Sequence, residues 1–447
     1  TAGEEYAAVW KFLMDPKHFY APYGSTTAEQ SHPGFAISYE GHECQWNGPS
    51  WPFSTAITLA GLANLLNDQQ QRFVSKQDYF DLLKIYASGH HLTKEDGRIV
   101  PWIDENLNPF TGDWISRTRL KTWKNGTWDS GKGGVERGKD YNHSTFCDLV
   151  ISGLIGIRPQ DGNQLSVHPL LPEGVWDYFC LENVLYHGKL ITVIYDKTGK
   201  KYEKGKGLIV LVDGKQVASS RGLSTITRKL YRHYLLNGNN LNFQYMWIRK
   251  TVWIVVFFIM CLSIFPLFAK GQNGKTFVMQ AVVDTYIDRF NQSDNELYMQ
   301  AVPNSEAKVF LTNKIPRFEC PDKQMEETYY FRWWTYRKHI KKTPTGYVIS
   351  EFLPDVPWAG KYNTISCAAA HHIYEGRWLH DEQILADYAH FWFSGEGNPR
   401  SYSFWAANTI YNYYLVHPDL ELLTVLYPSL KEDFTWWEIE KRDSTQL

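Results

Sequence analysis

The sequence predicts a mainly α-helical protein that contains one small antiparallel β domain. Apolar residues recur at the spacing of helices in both end regions of the chain, first at residues 6–13. Between these regions, residues 207–217 form two short apolar runs separated by Asp213-Gly214, a two-residue turn typical of β-hairpins. The two kinds of periodicity, and their separation along the chain, define the predicted fold class.

The helices follow from the apolar spacing and from local start signals. In the first region we expect helices that begin near residues 6, 54, 75 and 144, and Ser75 with Asp78 resembles a capping box. In the second region we expect five more, at residues 322–340, 365–379, 382–393, 401–415 and 420–440. At roughly 150 residues per domain, 447 residues correspond to about three domains.

The same patterns divide the chain into five parts. Helical residues 1–158 are followed by the small β domain at 159–226 and a polar junction at 227–245. Residues 246–270 differ in composition from the rest, and residues 271–447 are helical again. We therefore expect two helical regions separated by unlike segments.

Residues 246–270 have the composition of a targeting signal. Met246 is followed by Arg249 and Lys250, then by the apolar run 251–269. This is the order of charges and apolar residues in a secretory signal peptide, and the run is also long enough for a membrane span. The segment predicts a periplasmic or secreted protein, with membrane contact only through residues 251–269 if the segment stays uncleaved.

Composition excludes several classes of protein. The chain has 46 Lys and Arg against 48 Asp and Glu, so it lacks the basic excess of a nucleic-acid-binding protein. Its 43% hydrophobic and 21% charged residues exclude wholesale disorder. Six scattered cysteines form neither a disulfide framework nor a metal-binding spacing, so we expect no metal and no cofactor.

Aromatic residues are abundant, with 18 Trp, 28 Tyr and 24 Phe. Aromatic faces suit stacking on sugar rings, although large rings also fill large cores. Trp46 and Trp51 lie in a turn rich in Gly and Pro that can present both rings to one cavity, or pack both at a helix entry. Asp104 and Glu105 follow Trp102, and a carboxylate among rings is placed to position a water unless it is exposed or caps a helix.

The second helical region carries Arg, Glu and Trp side chains in close succession. This set offers hydrogen bonds and stacking surfaces to ligands with many hydroxyl groups. The candidates are Arg332, Trp333, Trp334, Glu351, Trp358, Glu375 and Arg377. His371 and His372 are adjacent and point in different directions on a helix, which argues against a shared metal ion.

Several multi-residue runs resemble the mannosylglycerate-hydrolase-like group of bacterial glycosidases, which is related to glycoside hydrolase family 63. Residues 39–52, 105–112 and 139–148 resemble the C-terminal half of that group. Residues 331–337, 358–362 and 371–381 resemble its N-terminal half, so together the two parts cover most of the chain except the junction. The resemblance implies that the halves stand in swapped order, as if two neighbouring genes had been joined.

The resemblance also implies a fold and a mechanism. The family has an (α/α)6 barrel of twelve helices, which would be incomplete here, and it hydrolyses α-glycosides with inversion. The glutamate of its E-x-x-[N/D]-P-x-T-G loop is the general base and matches Glu105. The aspartate that serves as general acid lies in a middle stretch with no counterpart in this sequence. The candidates to replace it are Glu375, Glu351 and Asp104, in that order.

The functional hypothesis is therefore an inverting glycoside hydrolase that acts on an oligosaccharide or glycoside and has Glu105 as its base. Trp46, Trp51, Trp102, Trp333, Trp334 and Trp358 would line the sugar cleft, and Arg332, Glu351, Glu375 and Arg377 would bond sugar hydroxyls. Two alternatives stay open at this point. The chain is a non-catalytic carbohydrate-binding protein, or it is a membrane-anchored pair of domains.

Overall fold

The computed structural model describes residues 4–116, 118, 138–230 and 276–441, except residues 95, 279 and 394. The signal-like segment at 246–270 and most of the predicted junction lie outside the described residues. Within the described part of the chain, no helix combines the length and the apolar character needed to cross a membrane.

The described residues of the first helical region form four α-helices. Helix α1 (Glu4–Ala7) continues as a 3₁₀ helix, Ala8–Met14, and is followed by α2 (Pro52–Asp68) and α3 (Lys76–Gly89). Helix α4 (Phe146–Asp148) runs directly into a π-helical turn, Leu149–Leu154. Ser75 and Asp78 form the predicted capping box at the start of α3, in which each side chain bonds the backbone of the other residue.

In the second helical region, the part that the structure describes forms seven α-helices. They are α5 (Gln280–Gln292), α6 (Ala307–Lys314), α7 (Lys323–Lys338), α8 (Ser366–Gly376), α9 (Glu382–Phe393), α10 (Ala406–Tyr414) and α11 (Leu420–Lys441). Five of them match the predicted helices, although α10 begins at Ala406 rather than at residue 401. Eleven α-helices among the described residues agree with a mainly α-helical fold, and the (α/α)6 barrel remains a prediction.

The strands within the described ranges form four small antiparallel sheets. Two are hairpins, β1 (His91–Thr93) with β2 (Ile99–Pro101) and β11 (Ile340–Thr343) with β12 (Gly346–Ile349). A three-stranded sheet has the order β3-β4-β9, from Ile157–Arg158, Gln164–Val167 and Ile226–Lys229. A five-stranded sheet has the order β10-β5-β6-β7-β8, from Arg317–Glu319, Tyr178–Tyr186, Lys189–Asp196, Gly207–Val212 and Lys215–Ser220.

The β region and the two helical regions share one core. Strand β10 comes from the second helical region, yet it pairs with β5 and places Phe318 opposite Leu181. One continuous cluster of buried apolar side chains extends from Ala7 to Leu426. The two helical regions therefore pack together, and the five-stranded sheet is completed by a strand that lies outside the predicted β domain. The predicted turn Asp213-Gly214 joins β7 to β8 with φ angles of 48° and 76°.

Candidate active site

The loop that carries Glu105 is fixed from both sides. Leu107 pairs with Ser50 and with Trp114 through isolated antiparallel bridges. Gly112 has a φ of 77°, and a Cβ atom there would lie 2.6 Å from the ring of Tyr23. Glycine is required at this turn both for its backbone angle and for its size.

Glu105 lies at the buried end of this loop, with 4% of its surface exposed. Its Oε2 accepts a hydrogen bond of 2.7 Å from the Ser116 hydroxyl. Its neighbour Asp104 accepts one from the backbone N–H of Glu105 at 2.7 Å and one from the Thr118 hydroxyl at 2.9 Å. Asp104 therefore orders the loop, and Glu105 is held in one orientation by Ser116.

Glu351 is the centre of a second buried polar group. Its Oε1 accepts a hydrogen bond from the Tyr141 hydroxyl at 2.6 Å and lies 2.8 Å from Nδ1 of His143. Burial alone would raise the pKa of Glu351. The charge of His143 and the hydrogen bonds from His143 and Tyr141 outweigh burial, so the pKa lies below its ordinary value. Glu351 is thus kept as a carboxylate.

Glu105 and Glu351 occupy the same neighbourhood. Burial and the negative charges of both carboxylates raise the pKa of the Tyr141 hydroxyl. Burial and the same two charges also raise the pKa of the Cys367 thiol. Both glutamates therefore lie within electrostatic reach of the same phenol and the same thiol, although they come from different helical regions.

A loop of the first region is clamped against the second region beside Glu351. Asp140 has a left-handed backbone with a φ of 60°. Its carboxylate accepts a hydrogen bond of 2.5 Å from Nζ of Lys338, and its carbonyl lies 2.7 Å from Nε2 of His339. Lys338 also bonds Asp294 at 3.0 Å. This clamp fixes the chain immediately before Tyr141 and His143.

Partly exposed aromatic rings are linked by ring contacts to the Glu351 group. Trp46 is 47% exposed and stacks on buried Trp51, with ring centres 3.9 Å apart and 15° between the planes. Phe53 contacts the ring of Trp46 at 5.5 Å and the ring of His143 at 4.4 Å, so this aromatic group continues to the Glu351 site. Of the two predicted tryptophans in this turn, Trp46 presents a free face and Trp51 supports it.

Two further tryptophans near this group are partly exposed. Trp358 is 41% exposed and packs edge-on against Phe352, which in turn contacts Tyr141 at 5.4 Å. Trp405 is 44% exposed and contacts His371 at 5.6 Å. Trp405 is not among the residues predicted from the sequence; its signal there is an aromatic residue at the start of a helix. Trp102 is half-buried, and its Nε1 donates to Thr118 at 3.1 Å.

Three predicted cleft residues belong to the core instead. Trp333 and Trp334 are buried on helix α7, where Trp334 donates to Asn291 at 2.8 Å. Arg332 is fully buried and donates to Thr335 at 3.1 Å. Helix α7 is surrounded by protein on nearly every face, so these side chains have no surface to offer a sugar.

Glu375 has a structural position as well. Its two carboxylate oxygens accept the backbone N–H groups of Cys147 at 2.9 Å and Asp148 at 2.8 Å. It therefore satisfies amides in the first turn of α4, where orphan N–H groups need an acceptor. Burial raises its pKa to about 7. With both oxygens occupied, Glu375 is not placed to bond or protonate a sugar, which corrects the sequence prediction.

Arg377 lines a cavity that lies next to the two carboxylates. Its Nε and Nη2 donate to Asp148 at 3.0 and 2.8 Å, so its guanidinium is largely committed to an ion pair. The cavity has a volume of about 360 Å³ and is bordered by His371 and Trp405. Neither Glu105 nor Glu351 lines it, and His371 lies between it and His143, at 4.9 Å from that ring.

Buried carboxylates in the same region as partly exposed aromatic rings are features of a carbohydrate-active protein. A sequence profile described as the mannosylglycerate hydrolase MGH1-like glycoside hydrolase domain matches residues 1–144 and 361–447, just over half of the chain. The chain belongs to this family, which confirms the resemblance. A second profile, the C-terminal domain of glycosyl hydrolase family 65, matches residues 157–218 in the β region.

A solved structure titled "Sialidase" is also similar to this chain. The two are 38% identical over 50% of this chain and 19% of that one, with a TM-score of 0.41. The chain thus spans about a fifth of the length of that relative.

Proposed function

We propose that the chain is an inverting glycoside hydrolase that cleaves α-glycosidic bonds in oligosaccharides, with Glu105 as its general base. The observation that carries the proposal is the position of Glu105, which is buried, oriented by Ser116 and in the same neighbourhood as Glu351. Membership of a glycoside hydrolase family supports the reaction class. The α linkage and the inversion rest on the resemblance.

In this mechanism Glu105 activates a water molecule. An inverting enzyme needs two carboxyl groups roughly 6.5–9.5 Å apart, with the water on the far face of the sugar ring. Ser116 donates to one oxygen of Glu105 and so fixes the plane of the carboxylate. The partly exposed faces of Trp46 and Trp358 provide surfaces on which sugar rings can stack.

None of the three candidate general acids combines a raised pKa with an oxygen free to reach a sugar, since Glu375 has the raised pKa but not the free oxygen. Glu375 is occupied by backbone amides, and Asp104 is bonded within its own loop. Glu351 has a lowered pKa, so it is ionised at neutral pH and suits hydrogen bonding to sugar hydroxyls rather than protonation. Without a general acid we expect hydrolysis at least about 10²-fold slower than in an intact relative.

The test compares substrates that differ in their need for an acid. The leaving group of an activated aryl α-glycoside departs without being protonated. The sugar leaving group of an oligosaccharide needs a proton from a general acid. We expect slow hydrolysis of the aryl substrate, a much slower reaction of the oligosaccharide, and release of the β-anomer first, as followed by NMR. Near-normal turnover of oligosaccharides would contradict the claim that the site has no general acid. Initial release of the α-anomer would contradict the inverting mechanism.

A second candidate function is carbohydrate binding without turnover. The ionised state of Glu351 favours it, because the site then holds carboxylates but no acid. Isothermal titration with oligosaccharides separates the two functions. Binding together with no hydrolysis of activated aryl glycosides would support the non-catalytic function.

The location of the protein is part of the proposal. Residues 246–270 have the pattern of a secretory signal, which favours a periplasmic or secreted product. N-terminal sequencing of material from the periplasm or medium should show cleavage near Ala269. Uncleaved chain retained in the membrane fraction would favour the anchored alternative.

A further inference from the structure

One group of side chains in the described residues has the composition and spacing of a metal site. His143, Glu351 and Cys367 each offer one ligand atom, and these atoms lie within 4.8 Å of one another. They come from the loop before α4, from the segment after β12 and from the second residue of α8. These residues are far apart along the chain, so the sequence shows no metal-binding spacing.

We propose that His143, Glu351 and Cys367 form a binding site for a thiophilic divalent cation, with Zn²⁺ as the ion that this ligand set selects. Imidazole nitrogen, thiolate sulfur and carboxylate oxygen are the three ligand types of zinc in proteins. Mg²⁺ and Ca²⁺ prefer sets made of oxygen alone, so the cysteine argues against both.

To hold a zinc ion, the ligand atoms would shift by up to about 1 Å: the longest separation in the group, up to 4.8 Å, would shorten, and the 2.8 Å contact between His143 and Glu351 would lengthen. Nδ1 of His143 is 2.8 Å from Oε1 of Glu351, and Sγ of Cys367 is 4.0 Å from Oε2 of the same carboxylate. Around a tetrahedral zinc ion, ligand atoms lie about 3.3–3.8 Å apart, as follows from bonds of about 2.0–2.3 Å. The open fourth position of such a site would hold water or a sugar hydroxyl.

The surroundings of the three residues suit a cation. Tyr141 donates to Oε1 of Glu351, which orients the carboxylate and leaves Oε2 facing Cys367, as outer-shell partners do in metal sites. Cys367 is half-buried rather than enclosed, which provides a path for an ion from the solvent.

The test uses Co²⁺ as a spectroscopic substitute for Zn²⁺. Chelator-treated full chain is titrated with Co²⁺, and the thiolate-to-metal charge-transfer band and the visible bands of tetrahedral Co²⁺ are recorded. We expect both sets of bands, and we expect equimolar Zn²⁺ to abolish them. Absence of a charge-transfer band in the unmodified chain would overturn the proposal, whatever the variants do.

Two cysteine variants locate the metal. Cys367→Ser should lose the charge-transfer band and bind Zn²⁺ at least about 100-fold more weakly. Loss of an outer-shell partner alone weakens metal binding by up to about 100-fold, and loss of a ligand should cost at least as much. Cys44→Ser is the matched control, since Cys44 is an exposed thiol outside the group, and it should keep the band. A band that survives in Cys367→Ser would place the metal elsewhere and refute the assignment.

A last arm of the experiment rests on the proposed function. A metal on Glu351 would occupy a hydrogen-bonding group of the sugar site, so Zn²⁺ should inhibit aryl glycoside hydrolysis in proportion to occupancy of the cobalt-reporting site. Spectroscopic binding without inhibition would leave the metal site intact and would contradict the role of Glu351 in sugar binding. The two proposals therefore fail separately.

Discussion

His143 and Glu351 lie 208 residues apart in the chain, yet Nδ1 of one is 2.8 Å from Oε1 of the other. This contact joins the loop before α4 to the segment after β12, so the candidate site is assembled from both helical regions. Neither region alone contains the Tyr141–His143–Glu351 group. Any change that separates the regions should therefore remove the site before it unfolds the helices.

The clamp between Lys338 and Asp140 is the first contact to test. Lys338→Met should destabilise the protein by about 3 kcal/mol, because Asp140 would lose its buried ion-pair partner. The free energy of unfolding from urea titration measures the loss. Activity should fall as well, because Asp140 directly precedes Tyr141.

Lys308→Met is the matched control for this clamp. Lys308 forms an ion pair of 2.8 Å with Asp288, but both side chains are exposed. Exposed pairs contribute little to stability, so we expect no measurable change. Equal effects of the two substitutions would show that the Lys338 clamp is no stronger than a surface pair.

Glu375 predicts a specific dependence of stability on pH. Its pKa is raised from the model-peptide value of 4.5 to about 7 in the folded protein, so the folded state holds its proton more tightly than the unfolded state. Its contribution to stability is complete below pH of about 4.5 and is lost as the pH rises through about 7. The change amounts to about 3 kcal/mol over that window.

Glu375→Gln isolates this contribution. The free energy of unfolding of both proteins is measured with denaturant at pH 5 and pH 8. The natural chain should exceed the variant by less at pH 8 than at pH 5. Buried His339 and His371 have lowered pKa values and change stability in the opposite direction, but they do so in both proteins. If the difference in free energy of unfolding between the natural chain and Glu375→Gln is the same at pH 5 and pH 8, the raised pKa of Glu375 is refuted.

Gly112 and Gly97 allow steric fit to be separated from backbone strain. Both glycines have positive φ, but a Cβ at residue 97 would meet open space, whereas one at residue 112 would strike Tyr23. Gly97→Ala should cost about 1 kcal/mol, the penalty of a left-handed alanine. Gly112→Ala should cost more and should also reduce hydrolysis, because it displaces the Glu105 loop. Thermal melts and aryl glycoside rates test both expectations.

Trp46 should contribute to sugar affinity through the exposed face of its ring. Trp46→Ala removes a ring whose outer face is exposed, so oligosaccharide affinity should fall about threefold to tenfold, roughly the 0.5–1.5 kcal/mol of an aromatic contact. Trp436→Ala is the control, because Trp436 is 39% exposed on helix α11 and packs near Arg400. Similar losses of affinity in both variants would remove Trp46 from the site.

The sequence predicted helices where periodicity and caps agreed, as at Ser75 and along residues 382–393. It missed α5, although Val283, Ile287 and Phe290 carry the helical spacing there. It did not predict that β10 completes the five-stranded sheet, because a three-residue strand that pairs with a distant part of the chain leaves no local pattern.

The candidate site was predicted only in part, because contacts between distant parts of the chain leave no local pattern in the sequence. Glu105 was found through its loop motif, but the run at residues 331–337 was interpreted as a cleft surface. Arg and Trp in close succession look polar and exposed, whereas helix α7 buries them on nearly every face. Glu375 was misjudged because its partners, the amides of Cys147 and Asp148, lie more than 200 residues away in the chain.

The role of Glu105 is tested most directly by the residual hydrolysis of an aryl α-glycoside by the natural chain and by Glu105→Gln. Asp113→Asn, in the same loop, is the control for loop integrity, and circular dichroism checks folding. The proposed mechanism predicts slow turnover in the natural chain and in the control, and none in Glu105→Gln despite its normal fold. Residual hydrolysis unchanged by Glu105→Gln would contradict it, because the base would then lie elsewhere.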